Sequence, residues 1–202
     1  LQFPTLLWIS TTDAFLHGLC GLGLLACCIG IAGRARVAAA LLVYAIYLSL
    51  FYGGQIFMGY QWDLLLIECL VLSALLAAHR TWGIWLFRLL LFRFMLLSGA
   101  VKLLSDDPTW ADASALAYHF ETQPLPTTFA WFAHYLPDAV LKGGVYTTFV
   151  VELVFSFFVF LPRNLRLVAG CGFVLLELLI LLTGSYNFFN LLTIVMCLAL
   201  LD

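Results

Sequence analysis

Long apolar segments alternate along the chain with short polar connections and with one long polar stretch. A helix that crosses a bilayer needs about 20 mainly apolar residues. The pattern therefore predicts an all-α integral membrane protein, a polytopic bundle of six to seven transmembrane helices with one long extracytoplasmic loop. The third and seventh segments are short, so we expect one of them to be re-entrant or to include polar residues from its flanks. The segments are Ala14–Ala32, Val37–Met58, Leu64–Ala78, Gly83–Leu104, Val145–Leu161, Leu165–Leu182 and Phe188–Leu201.

The long polar stretch divides the chain into three predicted parts. Residues 1–104 are expected to hold transmembrane helices 1 to 4, residues 105–144 the acidic and aromatic loop, and residues 145–202 helices 5 to 7. A loop of this length is usually functional or disordered, and its aromatic content argues against disorder. We expect an aromatic cap that rests on the helix ends, formed by Trp110, Tyr118, Phe120, Phe129, Trp131, Phe132 and Tyr135.

Cations in the short connections predict the orientation of the helices. Arg34 and Arg36 follow the first segment, and Arg80 follows the third. Arg163 and Arg166 follow the fifth segment, whereas the alternate connections hold few or no cations. Short loops that are rich in Lys and Arg remain on the cytoplasmic side of a membrane. We therefore expect the long loop to face away from the cytoplasm.

Composition excludes two broad classes of protein. With 64% hydrophobic and 10% charged residues, the chain is not an ordinary soluble domain. A net charge of -2 provides no basic surface for nucleic acid. All six cysteines fall in apolar segments, where Cys behaves as a small hydrophobic residue, so we expect neither a disulfide framework nor a Cys-rich zinc site.

Several polar residues interrupt the apolar segments and their edges. A charge at the centre of a membrane helix costs about 2.5 to 3.5 kcal/mol on insertion scales, so such residues are expected to face the bundle interior and to pair. They serve either as structural ion pairs or as a polar cavity that binds a substrate or relays protons. The predicted intramembrane polar network contains Asp63, Glu68, Arg88, Arg93, Glu152, Glu177, Asn187 and Asn190.

The fourth segment carries three cations, Arg88, Arg93 and Lys102. At about 100° per residue, Arg88 and Lys102 project within about 40° of each other, and Arg93 projects to nearly the opposite side from Lys102. We expect a glutamate on a neighbouring helix to compensate Arg93. Because Lys102 lies close to the end of the segment, its stem is expected to extend so that the ammonium reaches the interface. A role for Lys102 as a base is the alternative.

The loop contains the candidate residues for contact with a soluble partner, and these are Tyr118, His119, Glu121, Gln123 and Trp110. His119 and Glu121 form a His-x-Glu pair, which is weak evidence for a metal without a third defined ligand. We therefore expect no metal site and no cofactor.

Four short motifs occur in one order and together resemble the lipase maturation factor family. The resemblance covers roughly Tyr44–Asp202 and implies a polytopic membrane protein that dimeric secreted lipases need in order to reach their active, assembled form. The motifs are Gly54–Met58 with Gln61–Asp63, Leu97–Leu104 with Asp107–Trp110, Tyr118–Pro126, and Tyr186–Thr193.

The resemblance implies two partners, the lipid bilayer and a secreted lipase client. It also implies the endoplasmic reticulum membrane for a eukaryotic chain and the inner membrane for a bacterial one. Family members carry a further soluble domain after the membrane region. Because this chain begins at Leu1 and stops at Asp202 directly after an apolar run, we expect both flanking regions to be truncated.

A narrower resemblance bears on chemistry. The run Ser98–Leu103 followed by Trp110 is similar to a stretch of the vitamin K-dependent gamma-glutamyl carboxylases, in which the matching lysine acts as the base. This implies an alternative function, a membrane enzyme of carboxylase-like ancestry that uses Lys102 as base. A small-molecule transporter is a further alternative. The sequence has no nucleophile triad, phosphate loop or metal cluster, which favours a protein that is not an enzyme.

Overall fold

Four long helices form the first part of the fold in a computed structural model that describes residues 4–202. They are α1 (Asp13–Ile31), α2 (Arg36–Gly54), α3 (Gln61–Ala78) and α4 (Arg80–Leu104), and each is long and apolar enough to cross a membrane. Helix α3 begins at Gln61, ahead of the apolar segment, and so reaches 18 residues. The third segment therefore includes polar residues from its flank.

The long polar stretch is folded into three short helices. They are α5 (Pro108–Ala111), α6 (Ala115–Thr122) and α7 (Thr128–His134). The Asp107 carboxylate accepts a hydrogen bond from the Thr109 backbone N–H at 2.9 Å and thereby caps α5. The Asp112 carboxylate accepts hydrogen bonds from the Ser114 hydroxyl and backbone N–H, which lower the pKa of Asp112.

The fifth span begins inside the predicted loop and contains a π-helical turn. It is built from α8 (Asp138–Phe149), the π turn Val150–Val154 and α9 (Phe155–Phe158). Asp138 and Lys142 form an i,i+4 ion pair of 2.9 Å in the first turn, and this pair extends the helix beyond its apolar part. The sixth span, α10 (Arg163–Thr183), follows Pro162.

The seventh apolar segment is a short helix. It consists of α11 (Phe189–Met196) and a 3-10 turn at Cys197–Leu200. Phe189–Leu200 is about 18 Å long at 1.5 Å per residue, well short of a hydrocarbon core of about 30 Å. Among the described residues, the seven predicted apolar segments thus form six helices of spanning length and one short helix. This agrees with the six to seven transmembrane helices that the sequence predicts.

Two arginines hold the end of this short helix. Arg88 donates to the backbone carbonyls of Ala199 and Asp202 at 2.9 and 2.7 Å. Arg166 donates to the carbonyls of Leu200, at 2.9 Å, and Asp202. The last carbonyls of a helix have no partner within the helix and carry partial negative charge, so guanidinium groups stabilise them.

The chain divides into two compact units, one that ends at Phe87 and one that begins at Arg88. In the second unit the long stretch meets the connection after α10. The Ser185 N–H donates to the Leu125 carbonyl at 3.1 Å, Pro126 and Gly184 form an isolated antiparallel bridge, and the Thr127 hydroxyl donates to the Leu182 carbonyl. These two segments therefore lie at the same end of the unit, as alternating spans require.

Candidate functional site

The second unit holds two groups of polar side chains. The first, which we call the buried polar cluster, consists of Lys102, Glu152, Glu177 and Asn190. The second, which we call the loop site, consists of the side chains of His119, Gln123 and Tyr186 and the backbone of Gly184. Lys102 lies near the end of α4, and Asn190 lies in the first turn of α11. Lys102 and Asn190 are thus close to the end of the unit at which the loop site lies.

Lys102 and Glu152 form an ion pair inside the second unit. The Lys102 ammonium donates to both carboxylate oxygens of Glu152 at 2.8 Å and to the Ser98 carbonyl at 3.1 Å. The ring of Trp110 lies 5.4 Å from the same nitrogen. The three acceptors match the three donors of an ammonium group. The expectation that Lys102 extends to the interface is therefore wrong, because a buried carboxylate lies within its reach and needs a cation.

A close approach between α4 and the π turn makes this pair possible. A Cβ added at Gly99 would lie 2.7 Å from Leu153 Cδ2 and 3.0 Å from Glu152 Cβ, so a larger residue would force these side chains to shift. Lys102 is three residues further along the same helix face. The π turn, a feature often found at functional sites, contains Glu152. Gly99 thus brings the ammonium group to the carboxylate.

Glu177 and Asn190 form a second buried pair. The Asn190 amide nitrogen donates to Glu177 Oε2 at 2.7 Å, and both residues are buried. Glu177 lies within electrostatic range of Glu152 and Lys102. Within the part of the chain that the structure describes, Asn190 Oδ1 has no hydrogen-bond partner. Thr193, one turn later, is also fully buried. Asn190 and Thr193 are thus buried polar residues of the fourth motif.

Asp63, Arg88 and Asn187 of the predicted intramembrane network lie outside the buried polar cluster. Asp63 is buried in the first unit, where it accepts a hydrogen bond of 2.6 Å from the Tyr47 hydroxyl. Arg88 contacts the carbonyls at the end of the short helix, as described above. Asn187 is exposed in a left-handed conformation (φ 57°) before α11. Asp63 lies in the first turn of α3 and Arg88 about two turns into α4, so helix positions decide which of these residues meet.

Arg93 and Glu68 differ from the cluster in their exposure. Arg93 is exposed, whereas Glu68 is half-buried in the first unit. Lys102, which lies on another face of α4 from Arg93, pairs with Glu152 in the second unit. The predicted angular separation on α4 explains this division, because Arg93 projects away from the face that carries Lys102.

In the loop site, a tyrosine and a histidine join α6 to the connection before α11. The Tyr186 hydroxyl and His119 Nε2 are 3.3 Å apart. Burial lowers the pKa of His119 and raises the pKa of Tyr186. Both shifts favour the uncharged form, because burial penalises charge. At neutral pH the contact is therefore between a neutral imidazole and a protonated phenol.

Gln123 is enclosed beside this contact. Neither its Oε1 nor its Nε2 has a hydrogen-bond partner among residues 4–202. A Cβ added at Gly184 would lie 2.9 Å from Gln123 Oε1 and 2.6 Å from Tyr186 Cε2. The enclosed amide therefore belongs to the interior of the loop and does not face a soluble partner.

The other predicted loop residues divide into outward and inward groups. Tyr118 is 57% exposed, and Glu121 is also exposed on α6. Trp110 is half-buried and packs edge-on against Phe149, with ring centroids 5.7 Å apart. Only Tyr118 and Glu121 thus present large groups outward, while Trp110 covers the Lys102 ammonium.

The prediction that seven aromatic residues pack as a cap on the helix ends is wrong for most of them. Trp110 and Phe120 are half-buried, but the remaining rings are exposed. Small residues, Ala130 and Ala133, occupy the inward face of α7 instead. The exposed rings are Tyr118, Phe129, Trp131, Phe132 and Tyr135.

Sequence reasoning missed four features of these sites, namely Gly99, Tyr186, Gly184 and the π turn. Gly99 and Tyr186 both lie in motifs that carry the family resemblance, which is the signal that could have identified them. Gly184, by contrast, has no local signal beyond being a glycine after an apolar segment. The π turn around Glu152 has no periodic signature, since one turn is too short to alter a hydrophobic pattern.

Comparison with known proteins gives a consistent result. The family model described as the lipase maturation factor transmembrane domain matches residues 1–202. Lipase maturation factor 2 of Gallus gallus is 43% identical over 98% of this chain. The human protein of the same name is 45% identical over 80% of the chain, and lipase maturation factor 1 of Bos taurus is 35% identical over 98%.

The similarity covers only part of those proteins. The chain spans 31% of the Gallus gallus protein, 26% of the human protein and 38% of the Bos taurus protein. No solved structure matches the chain.

Proposed function

Because the chain belongs to the lipase maturation factor family, we propose that this membrane region supports the folding and assembly of secreted lipases. It acts as a scaffold that presents the loop of residues 105–137 to the lipase client. The curated relatives are eukaryotic, which supports placement in the endoplasmic reticulum membrane with this loop in the lumen.

The outward face of α6 carries this proposal. Tyr118 and Glu121 point away from the unit and combine an aromatic surface with a hydrogen-bonding and charged group. The helix is held from behind by the His119 contact to Tyr186. A rigid, exposed aromatic group flanked by polar groups is typical of residues that dominate protein interfaces.

The geometry of Lys102 favours a scaffold over an enzyme. Lys102 Nζ lies within hydrogen-bond distance of three acceptors, two on Glu152 and one on Ser98, an arrangement suited to a structural role. The relatives are named as maturation factors, so neither the carboxylase-like enzyme nor the transporter gains support from them.

The test measures secreted lipase activity per mass of secreted lipase in cells that lack the endogenous factor. Full-length protein is expressed at matched level as wild type, Tyr118→Ala with Glu121→Ala, or Tyr60→Ala. Tyr60 is a matched control, because it is an exposed tyrosine on another connection predicted to be extracytoplasmic. We expect the α6 variant to lose most maturation and the Tyr60 variant to keep it.

A Lys102→Arg variant in the same cells separates the two classes of function. Arginine keeps the positive charge opposite Glu152 but cannot accept a proton at physiological pH. A scaffold should therefore retain lipase maturation. Loss of maturation in a stable, correctly inserted Lys102→Arg protein, with the α6 variant still active, would contradict the proposal.

A further inference from the structure

Helix α7 has its small residues inside and its large residues outside. Ala130 and Ala133 are 1% and 7% exposed and face the unit, where α7 packs against α6 and α10. At about 100° per residue, Trp131 and Phe132 project to the opposite arc, whereas Phe129 lies about 40° from Ala133. The large side chains in the helix and directly after it are all exposed, and these are Phe129, Trp131, Phe132, Tyr135 and Leu136.

This arrangement reverses the amphipathic pattern of a helix on a water-soluble surface. Such a helix normally directs its large apolar residues toward the core and its polar residues toward water. A contiguous apolar surface outside a protein core marks an interaction site. Residues 128–134 include no Asp, Glu, Lys or Arg, and their polar side chains are those of Thr128 and His134.

The identity of the aromatic residues indicates a lipid interface. The rings of Trp131 and Tyr135 lie 5.0 Å apart at 63° to each other. Trp and Tyr each have an apolar body and one polar group, and they concentrate at the level of the lipid headgroups. Phe129 and Phe132 contribute wholly apolar rings to the same face.

The position of α7 supports the same conclusion. The Thr127 hydroxyl, directly before α7, donates to the carbonyl of Leu182 near the end of the spanning helix α10. Leu175, Leu179 and Leu182 are exposed along one side of α10, at the four- and three-residue spacing of a single helix face. This apolar stripe, which faces lipid in a membrane, leads to the start of α7.

We propose that α7 lies in the plane of the extracytoplasmic leaflet, with Phe129, Trp131 and Phe132 at the boundary between headgroups and acyl chains. Interfacial helices bury their apolar face about 5 to 10 Å into this region. The loop is thereby anchored to the bilayer through α7, while α6 is left free to face the aqueous compartment. This inference does not depend on the identity of any lipase client.

Spin labels in the full-length protein test the orientation directly. Single cysteines at 131 and 132 on α7, at 118 on α6 and at 179 on α10 are labelled in a cysteine-free background. The protein is reconstituted into phosphatidylcholine vesicles, and collision of each label with oxygen and with a water-soluble nickel chelate is measured. Oxygen partitions into the bilayer and the chelate into water, so their ratio reports depth.

We expect the oxygen-to-nickel ratio at 131 and 132 to be several-fold higher than at 118 and lower than at 179, which lies within a span. All of these side chains are exposed, so labels there are tolerated. Equal ratios at 118, 131 and 132 would overturn the proposal. So would labels at 131 and 132 that are open to water in vesicles and become immobilised only when a purified lipase is added, because α7 would then be a protein-binding face.

Discussion

The two compact units use polar residues in different ways. In the unit that ends at Phe87, α1 and α2 approach through small residues, and a Cβ added at Gly30 would lie 3.3 Å from Ala39 Cβ. Its polar contacts include the Tyr47 hydroxyl on Asp63. In the unit that begins at Arg88, buried charged groups pair between helices that are distant in sequence. The second unit therefore holds a buried ion pair and a buried carboxylate–amide pair, and each joins helices that are distant in sequence.

The comparison also separates the motifs of the chain. Three of the four motifs lie in the second unit and contain Gly99, Gln123 and Asn190. These residues either form the buried polar cluster or hold the loop site. The second unit is thus the part of the membrane region in which a single substitution is expected to have the largest effect.

The largest effect is expected from Lys102→Met. This change leaves Glu152 buried without its cation, and breaking one partner of a buried pair costs about 3 to 5 kcal/mol. Equilibrium unfolding in mixed micelles with an increasing fraction of dodecyl sulfate measures the change in the free energy of unfolding. Tyr47→Phe is the comparison in the first unit, where loss of one hydrogen bond to the buried Asp63 carboxylate should cost about 1.5 to 3 kcal/mol. Equal losses in the two variants would remove the distinction between the units.

Two glycine substitutions should have smaller effects on the free energy of unfolding, and these two effects should have opposite signs. Gly99→Ala should destabilise the protein by about 1 to 3 kcal/mol, because the added methyl group overlaps Leu153 at the close approach of two helices. Gly21→Ala in α1 meets no atom within 4 Å and should stabilise that helix by about 0.5 to 1 kcal/mol.

The same unfolding assay measures both glycine variants. Cysteine crosslinking at 102 and 152 provides a second readout for the first, since a displaced α4 would lower the crosslinking yield. Stabilisation by Gly99→Ala would show that the approach of α4 to the π turn is not tight.

The smallest effect is expected from the pH dependence of the loop site. Burial lowers the pKa of His119, so the unfolded chain binds a proton more readily than the folded protein does. Stability should therefore be complete above the unfolded pKa of about 6.5 and should fall as the pH decreases through that value. Because His119 is only half-buried, solvent weakens the effect.

Thermal unfolding between pH 7.5 and 5.5 measures this loss. His119→Gln should flatten the dependence on pH, whereas His134→Gln, which replaces an exposed histidine, should not. A dependence that is unchanged in His119→Gln would assign the titration to another group.

The sequence alone could predict the folded state of the loop but not its internal arrangement. Aromatic residues and the prolines of Gln123–Pro126 indicated order, and three short helices form there. The packing of those aromatic residues was predicted incorrectly. The local sequence pattern is the same whether a ring packs against protein or against lipid, so it does not distinguish the two. That Tyr118 and Glu121 contact a client stays a prediction. The enclosure of the Gln123 amide could not be predicted from the sequence, because it depends on the tertiary structure.

By itself, the sequence determined that the chain is a helical membrane protein with six to seven apolar segments, and it indicated the family to which the chain belongs. The reason is that a bilayer imposes a length on each helix and requires all backbone hydrogen bonds to be made within it. Only the tertiary structure decided which glutamate pairs with Lys102. That choice depends on a missing side chain at Gly99 and on one π turn, which set the distance between two helices and leave no trace in hydrophobic periodicity.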